Sequence, residues 1–239
     1  MKKILIGISA AVMLFASQNT QKEAMEALKA SPLYNQIIKA KKEGLPIKAQ
    51  KIDGLYVYRL TTPRGVIYIY LTADKKYTFI GNAIDNKTKK PIQIAKNANI
   101  INKGVMFTFG KGKKEIYLVT DPECPFCRKM EAMKKDILEK NYKVHVILLP
   151  LPFHKYARPM SYYILAGKTD AQRAKRMKEV LSGSDAWKKF KPTKEQIKKF
   201  EEELKNAQIA AEELDARGTP SVFDKNFNPI PWPVLGDKK

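Results

Sequence analysis

The chain has 239 residues, with 45 Lys and Arg against 24 Asp and Glu, a formal charge of +21. Its apolar fraction of 44% is enough for a sizeable core, in one large domain or two modest ones. Two cysteines in all exclude a disulfide-stapled scaffold, and lysines spread among glutamates, as in "KEQIKKFEEELK", read as a solvated basic surface rather than a nucleic-acid face.

The stretch "MKKILIGISAAVMLFASQ" starts with Lys2 and Lys3, runs apolar from Ile4 to Phe15 and then turns polar. A charged start, a short apolar run and small residues at its end read as a secretory leader over residues 1–17. Leu14 stands where a small residue is preferred for cleavage, so an uncleaved anchor is the other reading. Export places the chain where thiols oxidise.

From Gln21 to about Glu43 the pattern is helical, interrupted near Ser31-Pro32 and stopped by Gly44-Leu45-Pro46. Three strand-like runs follow, Leu55–Leu60, Gly65–Thr72 and Lys76–Asn82, read as antiparallel hairpins. In the second run Ile67, Ile69 and Leu71 alternate with Val66, Tyr68 and Tyr70, so both faces call for cover, which another chain could supply. The pattern weakens between Lys89 and Gly112, and "KNANIINKG" with "GKGKK" reads as a linker, with room for a short helix. The domain reading is therefore an N-terminal β-rich domain over 18–88, a linker over 89–112 and a second domain over 113–239.

That second domain opens with a buried-type strand, Glu115–Thr120, running into Asp121-Pro122-Glu123 and a helix from about Cys124 to Lys140. Phe126, Met130, Met133 and Ile137 form its expected inner stripe. Tyr142–Leu151 is the next strand, which puts the cysteines at the strand-to-helix turn of a β-α-β unit. A helical block from Pro159 to Leu181 follows. Thr193 and Gln196 then cap a helix with an apolar stripe of Ile197, Phe200, Leu204, Ala207, Ala211 and Leu214. Gly218-Thr219-Pro220 turns the chain into a last strand from Ser221.

Cys124 and Cys127 admit three readings. As a staple, so short a loop stabilises by about 2 kcal/mol before strain, which is little for a chain of this length. As a zinc knuckle, the pair lacks two further ligands, because His145 and His154 are nine residues apart; the bland readings are a half-buried His145 on its strand and a His154 in a surface loop. As a redox pair, Cys124 begins a helix, where open backbone N–H groups and the helix dipole favour a thiolate, and Pro125 suits the first helical position. Cys127 lies three residues on, on the same side of the first turn. The redox reading is the best supported, with no metal and no cofactor expected.

"TDPECPFC" after a strand, with "GTPSVF" late in the chain, resembles the thioredoxin-like fold and, more narrowly, the DsbC/DsbG family of periplasmic protein disulfide isomerases. The resemblance implies an α+β two-domain protein: a small N-terminal dimerisation domain, a linker, and a thioredoxin-like domain with a helical insertion. It implies two catalytic domains facing an apolar cleft in a homodimer, an exposed nucleophile at Cys124, a buried resolving thiol at Cys127, and a cis-Pro loop at Thr219-Pro220 that presents backbone to the client. The implied activity is isomerisation or reduction of disulfides in misfolded exported proteins, with a membrane reductant of the DsbD type keeping the pair reduced. Pro125-Phe126 lies nearer the Pro-Tyr of DsbG than the Gly-Tyr of DsbC, which brings in reduction of sulfenylated cysteines as an alternative. A redox-independent holdase is a third reading. Leu118 stands where thioredoxins keep a buried carboxylate, so proton transfer at Cys127 needs water or another group.

Overall fold

The computed structural model describes residues 20–62 and 65–236, and the expected leader lies outside them. The chain divides into two compact units at Ala95/Lys96.

In the N-terminal unit, residues 20–27 are helical and pass through a 3-10 turn, Leu28–Ala30, and the Ser31-Pro32 break into α1 (Tyr34–Lys42). The sheet is a meander of β1 (Ile47–Ile52), β2 (Leu55–Thr62), β3 (Gly65–Thr72) and β4 (Thr78–Ile80), each antiparallel to the next. β1, "IKAQKI", carries only two large aliphatic residues, and the sequence pattern had not marked it as a strand. The register Tyr56↔Leu71 and Tyr58↔Ile69 puts those four side chains on one face, packed against Ala24, Leu28 and Ile37 of the helical segment. Burying a side chain of this size stabilises by roughly 1.5–3 kcal/mol. Val57, Tyr68 and Tyr70 take the other face.

Cover for that second face comes from the chain itself. Ile92 and Ile94 pack there, the Tyr70 hydroxyl donates to the Ile92 carbonyl at 3.0 Å, and an Ile84↔Pro91 bridge closes the segment. Two-sided hydrophobicity in β3 therefore needs no second chain over this area. β4 is different: as the sheet's last strand it leaves Phe79 and Ile80 more than half exposed.

The C-terminal unit has a five-stranded sheet in the order β5-β7-β6-β8-β9, with β5 (Phe107–Phe109), β6 (Lys114–Thr120), β7 (Tyr142–Leu148), β8 (Ser221–Asp224) and β9 (Pro229–Ile230). Only β6 and β7 are parallel, joined through α3 (Pro125–Asn141). Central β6 is buried on both faces from Ile116 to Thr120, as a near-continuous apolar run demands. The remaining helices are α2 (Ala98–Lys103), α4 (Ala157–Leu165), α5 (Asp170–Leu181), α6 (Ala186–Lys189) and α7 (Lys194–Leu214). Thr193 and Gln196 form the expected capping box on α7. Phe200, Leu204, Ala207, Ala211 and Leu214 are buried from it, whereas Ile197, in its first turn, stays 37% exposed.

Part of the stretch expected as a linker belongs to this unit. α2 and β5 lie within 96–112, and β5 pairs with β7 through Phe107↔Val146. The glycines there serve close packing rather than flexibility: a Cβ on Gly112 would lie 1.9 Å from the Asn141 carbonyl carbon, and one on Gly104 would lie 2.3 Å from the Ala210 Cβ.

The inner face of α3 is not the stripe that its hydrophobic residues suggest. Its buried residues are Cys127, Met130, Glu131, Lys134 and Leu138, while Phe126 is 64% and Met133 58% exposed. Cys127, turned fully inward at the first turn, sets the phase; spacings of 3, 4, 7 and 11 from it then fall on two charged residues. Lys134 is accommodated because its Nζ donates to the Leu235 carbonyl at 2.8 Å. Burial pushes the Glu131 carboxyl above its ordinary range, against the opposing pull of Lys178 and Lys135.

Candidate active site

Strand register assembles the site. β8 runs antiparallel to β6 with Val119↔Ser221, so β8 enters the sheet where β6 leaves it. Residues just after Val119 therefore meet residues just before Ser221, although about a hundred positions separate them. That is how Cys124 comes to face Thr219: its Sγ donates to the Thr219 carbonyl at 3.3 Å. The Thr219–Pro220 peptide is cis.

Cys124 is the N-cap of α3 and Pro125 its first residue. The Cys124 carbonyl accepts from Arg128 N–H at 3.1 Å, and the Cys124 N–H donates to the Asp121 carbonyl at 3.2 Å, which closes the turn on both sides. Both thiols are free. The family resemblance implied an exposed nucleophile, but Cys124 keeps only 4% of its surface, tucked against the Thr219 carbonyl; Cys127 keeps none. Burial pushes the Cys127 thiol up to about 12, a negative charge on Cys124 adds to this, and the Asp121 N–H, donating to its Sγ at 3.4 Å, works against it. Phe126, between the two cysteines, projects outward.

Two residues that sequence reasoning did not assign organise the turn. Asp121 is wholly buried. Its carboxylate accepts from Glu123 N–H at 2.8 Å, from Leu151 N–H at 2.7 Å and from His154 Nδ1 at 2.8 Å. His154 is thus drawn in from its expected loop position, its side chain only 16% exposed. Glu123 adds a parallel tether by accepting from Tyr156 N–H at 2.5 Å. An Asp at a strand end, three residues before a helix N-cap, is a readable turn signal; nothing local in the sequence links it to His154. The other histidine, His145, is engaged elsewhere, stacked on Tyr117 with its Nε2 3.2 Å from Glu115.

The tethered loop brings Phe153 (76% exposed) and Tyr156 (44%) to the neighbourhood of the turn. On that side an open groove of about 680 Å³ is lined by Glu123 and Arg128 of the turn and by Tyr156, Met160 and Trp187. Tyr156 and Trp187 form a tilted aromatic pair at 5.5 Å. Another groove, of about 510 Å³ beside Leu149, Arg158 and Gln208, shares no residue with the turn.

Residues 108–226 match the thioredoxin-like domain family. Among solved structures, DsbG of Helicobacter pylori is 13% identical with a TM-score of 0.40, over 78% of this chain and 97% of that one. A periplasmic thioredoxin-like protein of Salmonella enterica serovar Typhimurium is 20% identical with a TM-score of 0.43, over 60% and 94%. A disulfide interchange protein of Neisseria gonorrhoeae is 19% identical with a TM-score of 0.42, over 54% and 89%. No curated protein matches the chain by sequence. Among the described residues no helix is long and apolar enough to cross a membrane. The C-terminal unit therefore carries a thioredoxin-like domain, as the resemblance to the DsbC/DsbG proteins implied.

Proposed function

We propose that this protein is a periplasmic thiol–disulfide oxidoreductase, acting chiefly as an isomerase of misfolded exported proteins. The observation that carries the reading is the seating of Cys124 at a helix N-terminus, its sulfur 3.3 Å from the carbonyl of Thr219 and the fully buried Cys127 one turn on. The Cys124 thiolate attacks one sulfur of a client disulfide; a Cys124–client disulfide forms, and the client's other sulfur leaves as a thiolate. Backbone of the Thr219-Pro220 loop lies beside that bond and offers the client chain main-chain partners.

Two exits follow. The client's freed thiolate attacks the mixed disulfide in a new pairing and releases Cys124 reduced. Alternatively Cys127 loses its proton, attacks the Cys124 sulfur and expels the client thiolate, leaving the pair oxidised. A thiol held as high as about 12 is slow to ionise near neutrality, which lengthens the life of the mixed disulfide and favours the first exit. The pair then needs a membrane thiol reductant of the DsbD type only when the second exit is taken. The protein acts as a homodimer joined through the N-terminal sheet, whose edge strand β4 carries the exposed Phe79 and Ile80.

The same site would reduce a client sulfenic acid: Cys124 forms the mixed disulfide as hydroxide leaves, and Cys127 resolves it. The Pro125-Phe126 dipeptide favours that second reading. A scrambled-disulfide client, incubated with reduced protein and with a Cys124→Ser variant, tests the first. Recovery of client activity that depends on Cys124 is the expected result; no recovery from a protein whose two thiols still titrate would overturn it.

A further inference from the structure

The groove beside the active-site turn has a feature that the redox chemistry does not use. Arg128 follows Cys127 in the first turn of α3, and its backbone N–H is bonded to the Cys124 carbonyl, so the residue is rooted one helical turn from the nucleophile and lines the groove beside it. Its Nε is buried and has no hydrogen-bond partner. The closed Nε is out of a client's reach, but no hydrogen bond or ion pair among the described residues engages the rest of the Arg128 guanidinium; a carboxylate, which takes two N–H donors at once, is the group that satisfies it best.

Other charges lining the groove are already engaged. The Glu123 carboxylate accepts from Tyr156 N–H, and Lys188 pairs with Asp185 at 2.8 Å. The aromatic pair Tyr156 and Trp187, with Met160, gives the groove an apolar wall, which lowers the local dielectric and strengthens an ion pair formed against it. The chain's excess of positive charge, +21, steers anionic segments toward the surface in general but does not choose where they land.

Building on the thiol-exchange reading above, we propose that this groove is a client subsite in which Arg128 receives an aspartate or glutamate flanking the client's reacting cysteine. Docking there brings the adjacent client sulfur to Cys124, so the protein selects disulfides in acidic sequence surroundings. Arg128 acts in selection and positioning; the bonds made and broken remain those of the sulfurs.

The test uses two single-cysteine peptides, each held as a mixed disulfide with the neutral thiol mercaptoethanol. In one the cysteine is flanked on both sides by glutamate, in the other by glutamine. Second-order rates of their reaction with the reduced full chain are measured at about 150 mM salt, where distant charges are largely screened. The expected wild-type preference for the glutamate peptide is about tenfold, the worth of one favourable charge-assisted pair. Within each variant the readout is the ratio of the two rates, so general changes in thiol reactivity cancel. Arg128→Gln should bring the ratio close to one, Arg128→Lys should restore part of it, and Arg128→Glu should invert it. Equal rates in the wild type, or a ratio unchanged in Arg128→Gln, would overturn the subsite and leave the thiol chemistry standing. Failure of both peptides to react with titratable thiols would overturn the thiol-exchange reading, and the subsite with it.

Discussion

The Nδ1 of His154 lies 2.8 Å from the carboxylate of Asp121, a side chain with no exposure at all, and this contact fastens the loop after β7 to the turn that carries the cysteines. The same carboxylate accepts from two backbone N–H groups, one on each of its oxygens. An amide in its place has to turn its NH₂ toward one of those donors whichever way it is oriented. Asp121→Asn should therefore destabilise the C-terminal unit by about 3 kcal/mol, the scale for a buried polar group facing an unsatisfiable partner. His154→Ala should lose less, about 1–2 kcal/mol, because the two backbone bonds survive. Urea unfolding of both variants reads the difference; equal and small losses would show that Asp121 does not organise the turn.

The second prediction concerns labelling. With its thiol pushed up to about 12 and no surface exposed, Cys127 should resist iodoacetamide at about pH 8, reacting at less than about a hundredth of the rate of Cys124. Peptide mass spectrometry of the reduced protein after timed quenching gives both rates. The linkage has a definite sign: a thiol raised in the folded state keeps its proton where the unfolded chain has lost it. Its contribution to stability is therefore full below the ordinary thiol range and is lost as pH rises from there toward about 12. The stability difference between wild type and Cys127→Ala should shrink over that window.

How far the sequence carried these conclusions depends on the range of the interaction involved. The β-α-β unit, the capping box of Thr193 and Gln196, and the Cys-Pro start of α3 are local patterns, and each stands in the structure where the pattern placed it. The Thr219-Pro220 loop was placed by resemblance to known proteins; its contact with Cys124 follows from strand register, which the residues alone do not specify. Three of the readings that the structure corrected failed for reasons the residues themselves explain. The α3 stripe was drawn through hydrophobic residues, whereas the inward turn of Cys127 carries Glu131 and Lys134 into the interior. Gly110 and Gly112 looked like linker composition, but they make room for the backbone of Asn141 and Tyr142. His154 looked like a surface residue because its partner, Asp121, is 33 positions away.

Glu131 supplies a third prediction. It is 3% exposed, and burial raises its carboxyl above the ordinary range, with Lys178 and Lys135 pulling the other way. A raised acid is held protonated in the fold where the unfolded chain has already ionised, so stability falls as pH climbs from the ordinary carboxyl range through the raised value. Glu131→Gln removes that slope. The variant should match the wild type at about pH 4 and exceed it at about pH 7, in chemical unfolding followed by circular dichroism. Lys178 keeps an ion-pair partner in Glu139, so the substitution does not strand a buried cation. A variant less stable than wild type at neutral pH would show that the buried carboxylate is paid back in full by its lysines.

The last prediction tests the proposed dimer. β4 pairs on one side with β3, through Tyr70↔Phe79 and Ile69↔Ile80, and is the terminal strand of its sheet. An open strand edge bearing Tyr77 at 61%, Phe79 at 55% and Ile80 at 64% exposure invites another strand unless something blunts it. Pairing with a second copy satisfies the free backbone groups and removes those side chains from water together. Phe79→Lys with Ile80→Lys keeps the β3 pairing, which is made by the backbone, and puts charge along the edge on both faces. The double variant should sediment as a monomer at concentrations where the wild type is a dimer, with the dissociation constant raised by about a hundredfold or more. Its unfolding midpoint, extrapolated to low protein concentration, should match that of the wild type, because both side chains are solvent-exposed within one chain. A wild-type monomer at micromolar concentration, or a dimer that persists in the double variant, would move the interface away from β4 and leave Tyr77, Phe79 and Ile80 as an apolar edge without a partner.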